Sequence, residues 1–162
     1  VSMFTYLAGN RLEELAAPGK KVLDLGCGSG ILAIGALVLG CGSAAGCDID
    51  PKAPDVAASN AALNGIGRDR FRVYAGDILA DRSLRAALGG GYDIVLANIV
   101  ADVIIPLAPL ARGFLAPGAA FVCSGVIEGR QREVENALRE ADFSITGHYC
   151  QEEWHCFTCK IL

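Results

Sequence analysis

The chain has 162 residues, of which 52% are hydrophobic and 20% are charged, and its formal net charge is −4. This length and composition predict one compact, soluble domain of residues 1–162 with a sizeable core. The longest apolar stretch, residues 31–39, is too short to cross a bilayer, so we expect no membrane span. The net negative charge does not indicate nucleic-acid binding. A local basic patch formed by Arg68, Arg70 and Arg72 remains as an alternative.

The cysteine content indicates a redox compartment. Seven cysteines are scattered along the chain. An odd number without the arrangement of a small disulfide scaffold is typical of a reducing environment. We therefore expect a cytoplasmic protein.

Hydrophobic runs alternate with helical patterns along most of the chain, which predicts repeated βα units and a parallel sheet. In chain order the expected elements are strand 21–25, helix 31–39, strand 44–48, helix 54–63, strand 71–75, helix 83–88, strand 92–97, helix 103–114, strand 119–124 and helix 128–141. Two prolines are expected to bend or divide the helix 103–114. Residues 143–150 and 154–161 flank a short polar turn and are expected to form an antiparallel hairpin that completes the sheet.

A glycine-rich loop follows the first predicted strand in the sequence V-L-D-L-G-C-G-S-G, residues 22–30. Gly26, Gly28 and Gly30 allow a tight turn and close approach of a ligand to the backbone, which predicts a site for a nucleoside-like ligand. A dinucleotide-binding fingerprint would need a small residue where Ile31 stands, which disfavours a nicotinamide-dependent oxidoreductase. Glycine-rich turns also follow strands in proteins where they bind no ligand. Whether this loop is a ligand site therefore depends on the residues elsewhere in the chain.

The second predicted strand ends in C-D-I-D-P, about twenty residues beyond the glycines. A carboxylate at this point can accept hydrogen bonds from both ribose hydroxyls, and we assign that role to Asp48. Ile49 is then expected to pack on the adenine face. Asp50 is expected to cap the following helix.

The D-x-G-x-G-x-G form of residues 24–30 resembles motif I of the class I S-adenosylmethionine-dependent methyltransferases. Five βα units followed by a hairpin also resemble the sheet of that class, over almost the whole chain. The resemblance implies an α/β, Rossmann-like fold with seven mostly parallel strands, an antiparallel C-terminal hairpin and helices on both faces. It also implies S-adenosyl-L-methionine as cofactor.

The same resemblance assigns further cofactor contacts. Asp24 is expected near the methionine part of the cofactor, and Cys27 lies inside the loop that binds it. Asp77 and Ile78, in A-G-D-I after the third strand, are expected to meet the adenine amino group and ring. A turn-stabilising carboxylate for Asp24 and a helix cap for Asp77 remain as alternatives, and Cys27 lacks the neighbouring base that a nucleophile needs.

Asn98, in L-A-N-I-V-A at the end of the fourth strand, is the expected catalytic residue and also faces the cofactor. Methyl transfer to an amine is an in-line displacement in which positioning dominates. A neutral carboxamide oxygen can accept a hydrogen bond from an amine and orient its nitrogen without stabilising the unreactive ammonium form. Nucleobase amino-methyltransferases usually carry N-P-P and an aromatic residue here, and this chain does not. A helix cap is the alternative for Asn98.

Together with C-D-I-D-P and L-A-N-I-V-A, the segments S-G-V-I-E (124–128) and E-E-W (152–154) are similar to the catalytic domain of the ribosomal protein L11 methyltransferase family. The resemblance implies methylation of lysine and N-terminal α-amine groups of a large-subunit ribosomal protein. Thr5 is the one matching residue of the family's glycine-, histidine- and threonine-rich segment, and the resemblance implies that it contacts the cofactor. The family's N-terminal substrate-recognition domain is expected to be absent from residues 1–162.

Two other classes of function stay open at this stage. One is a methyltransferase of the same fold that acts on RNA or on a small molecule, and the other is a non-catalytic nucleoside-binding module. A metal site is not expected. The candidate zinc ligands are Cys150, His155, Cys156 and Cys159, with His148 nearby, because they include a C-x-x-C spacing. Cys156 and Cys159 are three apart on a strand and project to opposite faces, so one ion cannot readily bind both.

Overall fold

The structure is a computed structural model that describes residues 2–162. The strands are β1 (Lys21–Leu25), β2 (Ser43–Asp48), β3 (Phe71–Ala75), β4 (Tyr92–Asn98), β5 (Leu115–Ile127), β6 (Phe143–Gln151) and β7 (Trp154–Ile161). The helices are α1 (Met3–Leu15), α2 (Ile31–Val38), α3 (Ala53–Ala62), α4 (Arg82–Leu88), α5 (Ala101–Ala111) and α6 (Gln131–Glu140), with a 3₁₀ turn at Arg112–Phe114. No helix in this part of the chain is long and apolar enough to cross a membrane.

All seven strands form one sheet in the order β3-β2-β1-β4-β5-β7-β6. Strands β1 to β5 are all parallel to one another, whereas β7 is antiparallel to both β5 and β6. The strand order reverses between β1 and β4, which is where an open α/β sheet binds its ligands. The predicted class I methyltransferase fold is confirmed.

Helices cover both faces of the sheet and bury two separate apolar clusters. One cluster joins the sheet to α1, α2 and α3, through residues such as Leu12 and Leu37. The other joins it to α4, α5 and α6, through residues such as Ile104 and Leu138. The central strands are apolar on both faces, as Leu23 and Ile94 show, and this explains why their sequences are continuous hydrophobic runs.

Three predicted elements differ from the observed ones by more than one residue at an end. Helix α5 begins at Ala101 rather than at residue 103 and continues through both prolines to Ala111, so they do not divide it. Strand β5 begins before Pro117 and Gly118, which lie where its register with β4 shifts, instead of forming a turn ahead of it. Helix α6 begins at Gln131 and not at residue 128.

Helix α1 was not predicted, although its sequence carries the signal. Its buried residues Leu7, Ala8 and Leu12 follow the spacing of one helix face. The helix packs against β5, β7 and α2. It thereby brings Thr5 to the edge of the sheet where the predicted site residues lie.

Candidate active site

A cavity of about 280 Å³ opens where β1, β2, β3 and β4 end. Five predicted cofactor residues line it: Gly26, Asp48, Ile49, Asp77 and Ile78. It is also lined by Leu25, Cys47, Gly76, Leu79, Ile99 and Val103, none of which was predicted. The site therefore combines two carboxylates with an apolar wall, as a nucleoside requires.

The glycine loop has a backbone that other residues adopt poorly. Gly26, Gly28 and Gly30 have φ values of 76°, 52° and 84°. A Cβ atom on Gly26 would also collide with the Cγ2 atom of Ile99, and one on Gly30 would lie 3.0 Å from the Phe71 ring. Both the turn and the close packing therefore require glycine.

Asp48 links the end of β2 to the glycine loop. Its Oδ2 atom accepts a hydrogen bond of 2.8 Å from the backbone N–H of Gly28, and its Oδ1 atom accepts one of 2.9 Å from Asp50. A carboxylate has about four lone-pair sites, so acceptor capacity remains for two hydroxyl groups. Ile49 beside it is 73% exposed, and this large apolar side chain stands at the mouth of the cavity.

The capping roles considered for two aspartates are not observed. Asp50 accepts a hydrogen bond from the N–H of Lys52, which is itself the N-cap of α3, so the prediction that Asp50 caps this helix is wrong. Asp77 accepts one from the N–H of Leu79, and the cap of α4 is Asp81. The exposed Asp77 side chain thus remains at the cavity wall.

Asp24 lies within the sheet beneath the loop and is 1% exposed. Its Oδ1 atom has no hydrogen-bond partner among the described residues. Burial, reinforced by the charge of Asp48, raises the pKa of the Asp24 carboxyl from its usual 3.8 to about 7. The central acid of the motif is therefore close to its titration point at neutral pH.

Asn98 and Thr5 are 93 residues apart in sequence and in direct contact. The Asn98 Nδ2 group donates a hydrogen bond of 3.0 Å to the Thr5 Oγ1 atom, while the Asn98 Oδ1 atom is buried and has no partner among residues 2–162. The N-cap of α5 is Val100, so the helix-cap alternative for Asn98 is wrong. One end of the carboxamide is fixed, and the other is a buried acceptor with unused hydrogen-bonding capacity.

The segments that carried the family resemblance hold α1 in place. The Ser124 hydroxyl donates a hydrogen bond of 2.7 Å to the backbone carbonyl of Phe4. The Phe4 ring packs on Trp154, with ring centroids 4.9 Å apart. Thr5 is thereby positioned from two strands, and neither contact was visible in the sequence.

Six predicted residues are outside the described wall of the cavity: Thr5, Asp24, Cys27, Gly28, Gly30 and Asn98. Cys27 is buried, and burial raises the pKa of its thiol well above the usual range, so it does not serve as a thiolate nucleophile. A Cβ atom on Gly46 would lie 3.0 Å from the Cys27 sulfur, which therefore packs against β2 beneath the loop.

The cavity wall contributed by α5 was missed. Ile99 follows Asn98 directly, and Val103 stands on the first turn of α5. Their position could have identified them, because both come shortly after the carboxyl end of a predicted strand, where α/β domains bind ligands.

Fold and site together define an α/β domain of the class I methyltransferase type. The family described as ribosomal protein L11 methyltransferase (PrmA) matches residues 4–161. The chain belongs to this family, as its sequence predicted.

Curated relatives and a solved structure agree with this assignment. The ribosomal protein L11 methyltransferase of Pseudomonas aeruginosa is 42% identical over 142 residues, covering 88% of this chain and 45% of the relative. That of Pelotomaculum thermopropionicum is 39% identical over 157 residues, covering 97% and 49%. A crystal structure of the ribosomal protein L11 methylase from Lactobacillus delbrueckii subsp. bulgaricus superposes with a TM-score of 0.87 at 31% identity, covering 98% of this chain and 78% of that one. The chain thus spans about half the length of the curated relatives it matches.

Proposed function

We propose that this protein is an S-adenosylmethionine-dependent protein N-methyltransferase that methylates lysine and N-terminal α-amine groups of a large-subunit ribosomal protein. One observation carries the proposal, namely the Asn98 carboxamide, which is fixed by Thr5 and leaves its Oδ1 atom unpaired at the end of β4. It stands beside a cavity with the chemistry of a nucleoside site. The names of the relatives supply the substrate class.

The residues at the cavity fit S-adenosylmethionine. Asp48 has unused lone pairs for the ribose hydroxyls, and Ile49 and Ile78 offer apolar surface to the adenine ring. In this proposal the Asp77 carboxylate, which lines the same cavity, accepts a hydrogen bond from the adenine amino group. Asp24, buried beneath the loop, supports the part that binds the methionine end.

The chemistry that remains for the protein is positioning. The bound cofactor supplies an electrophilic methyl group on its sulfonium. Asn98 accepts a hydrogen bond from the N–H of the incoming amine, and this aims the nitrogen lone pair. Since the carboxamide carries no charge, it does not favour the protonated amine as a carboxylate would.

We further propose that residues 1–162 comprise a single cofactor-binding domain and that the protein is cytoplasmic. All seven cysteines are free thiols, and six of them are buried. Proteins in oxidising compartments tend to use cysteines as disulfides, so this pattern supports a reducing location.

Cofactor binding and methyl transfer require separate tests. Asp48→Asn is expected to weaken binding of S-adenosylhomocysteine at least tenfold by calorimetry, because a carboxamide offers fewer acceptors to the hydroxyls and to the loop. Asn98→Ala is expected to retain that binding and lose methyl transfer. Asn64→Ala, an exposed asparagine at the end of α3, is the matched control and should change neither.

The substrate class is tested with labelled cofactor and three separated fractions, namely large-subunit ribosomal proteins, ribosomal RNA and metabolites. Label in a ribosomal protein, lost in Asn98→Ala, is the expected result. Label only in RNA or in metabolites would contradict the protein substrate. Cofactor binding without label in any fraction would favour a non-catalytic module.

A further inference from the structure

A cluster of possible metal ligands lies away from the cofactor cavity, at the end of β5 and the tip of the β6–β7 hairpin. Glu128, Cys150 and His155 each offer one ligand atom there, and these atoms all lie within 4.8 Å of one another. The imidazole of His155 is buried, whereas Cys150 and Glu128 reach solvent. Nothing in the proposed methyl transfer uses this cluster.

Strand pairing explains why the three residues meet. Cys150 and His155 are direct cross-strand partners in the antiparallel hairpin, so their side chains share one face of the sheet. His155 also pairs with Val126 near the end of β5, two residues before Glu128. The backbone N–H of Glu128 donates a hydrogen bond of 2.6 Å to the carbonyl of Glu153, which fixes the chain beyond β5.

The distances are close to those of a coordinated zinc ion. The His155 Nε2 atom is 3.8 Å from the Cys150 sulfur and 2.5 Å from the Glu128 Oε2 atom. Zinc–ligand bonds of roughly 2.0–2.3 Å in a tetrahedron place ligand atoms roughly 3–4 Å apart. The Cys–His pair already has this spacing. Glu128 needs to move by about 1 Å, which its 58% exposed side chain allows.

His148 supplies the outer contact that metal-binding histidines normally have. Its Nε2 atom is 2.8 Å from the Nδ1 atom of His155, on the side of the ring opposite the other two groups. The His148 ring is stacked on Phe157, with centroids 4.4 Å apart. Such a partner fixes the orientation of the ligating ring and leaves its Nε2 atom for the ion.

We propose that Glu128, Cys150 and His155 bind one divalent ion of the zinc type, with a fourth position open to water. A thiolate, an imidazole and a carboxylate together suit zinc, and they do not suit the hard ions magnesium and calcium. The expectation from the sequence that no metal binds here is at odds with this proposal: Cys150 and His155 were among the candidates, and the group was set aside because Cys156 and Cys159 project to opposite faces. Cys156 and Cys159 do lie in the two different cores, but the ligand set proposed here uses neither.

Cobalt and zinc binding to the purified protein tests the site. After treatment with a chelator, the protein is expected to bind one equivalent of Co²⁺ and develop a thiolate-to-cobalt absorption band that Zn²⁺ abolishes. Cys150→Ser should lose the band. Cys159→Ala, which removes a buried cysteine of the C-x-x-C pair, should keep it.

Two further variants keep the proposal open to refutation if one substitution disturbs folding. Glu128→Gln changes an exposed residue, and it is expected to weaken zinc binding by at least tenfold with an unchanged circular dichroism spectrum. His148→Gln should weaken it by roughly 10- to 100-fold. The proposal is overturned if no stoichiometric cobalt band forms, if the band persists in Cys150→Ser, or if folded Glu128→Gln binds zinc as tightly as the parent protein.

Discussion

The buried carboxyl of Asp24 makes a prediction about stability and pH. In the native protein its pKa is about 7, because burial disfavours the ionised form, whereas in the unfolded chain the pKa is near its usual 3.8. Asp24→Asn replaces it with a group of similar shape that does not ionise. We expect this variant to gain stability over the parent protein as the pH rises.

The sign and size follow from proton linkage. Below about pH 4 the carboxyl is protonated in both states and contributes no pH dependence. Between about pH 4 and pH 7 the unfolded chain releases the proton and the native protein keeps it, so the free energy of unfolding falls. The difference between the two pKa values corresponds to a loss of about 4 kcal/mol, complete above about pH 7.

Urea denaturation at several pH values between about 4.5 and 8 measures this effect. The difference in free energy of unfolding between Asp24→Asn and the parent protein should grow by several kcal/mol across that range and then level off. Asp69→Asn, at an exposed site, controls for the loss of one negative charge, and the growth seen for Asp24→Asn should clearly exceed that of this control. A flat difference for Asp24→Asn would refute the assignment of a proton to the native carboxyl.

Three other substitutions probe the packing around the site. Thr5→Val should lower kcat/KM roughly tenfold by freeing the Asn98 carboxamide, with a smaller loss of cofactor affinity. Thr146→Val, at a distant exposed threonine, should leave both quantities unchanged. Gly125→Ala should lower the free energy of unfolding by about 2–3 kcal/mol, since φ is +90° and the new Cβ would lie 2.6 Å from the Ile99 carbonyl oxygen. Gly35→Ala, in open space on α2, should raise it by about 0.5–1 kcal/mol, and equal effects of the two alanines would contradict the packing argument. Trp154→Ala should speed proteolysis within α1, and an unchanged cleavage rate would show that the contact with Phe4 does not hold the helix.

Much of the fold was predictable because parallel strands buried on both faces have a direct sequence signature. The predicted β3 agrees with the observed Phe71–Ala75 at both ends, and β1 agrees at Lys21–Leu25. Turn residues were less reliable, since Pro117 and Gly118 lie within one long strand whose pairing with β4 shifts there. A local signal for a turn does not reveal whether the neighbouring strand continues to pair.

The candidate site was predictable where its residues follow strands and not where it depends on distant contacts. Asp48 was located by its place at the end of a strand and Asp77 by the family resemblance of the segment after the third strand, and both line the cavity. The contact of Thr5 with Asn98 joins residues 93 positions apart, so only a resemblance could suggest it. Cys150, His155 and His148 were noticed in the sequence and set aside, whereas Glu128 was not considered because it comes from the end of a third strand.

The hydrogen bond between Asp48 and Gly28 is made entirely within the chain and joins the end of β2 to the glycine loop. The loop is therefore preorganised. The conformational entropy cost of ordering it arises during folding and not during ligand association. Ligand binding should accordingly resemble docking into a rigid receptor, and loop closure should not limit the association rate. Differences in affinity among nucleoside analogues should then arise mainly from differences in their dissociation rates.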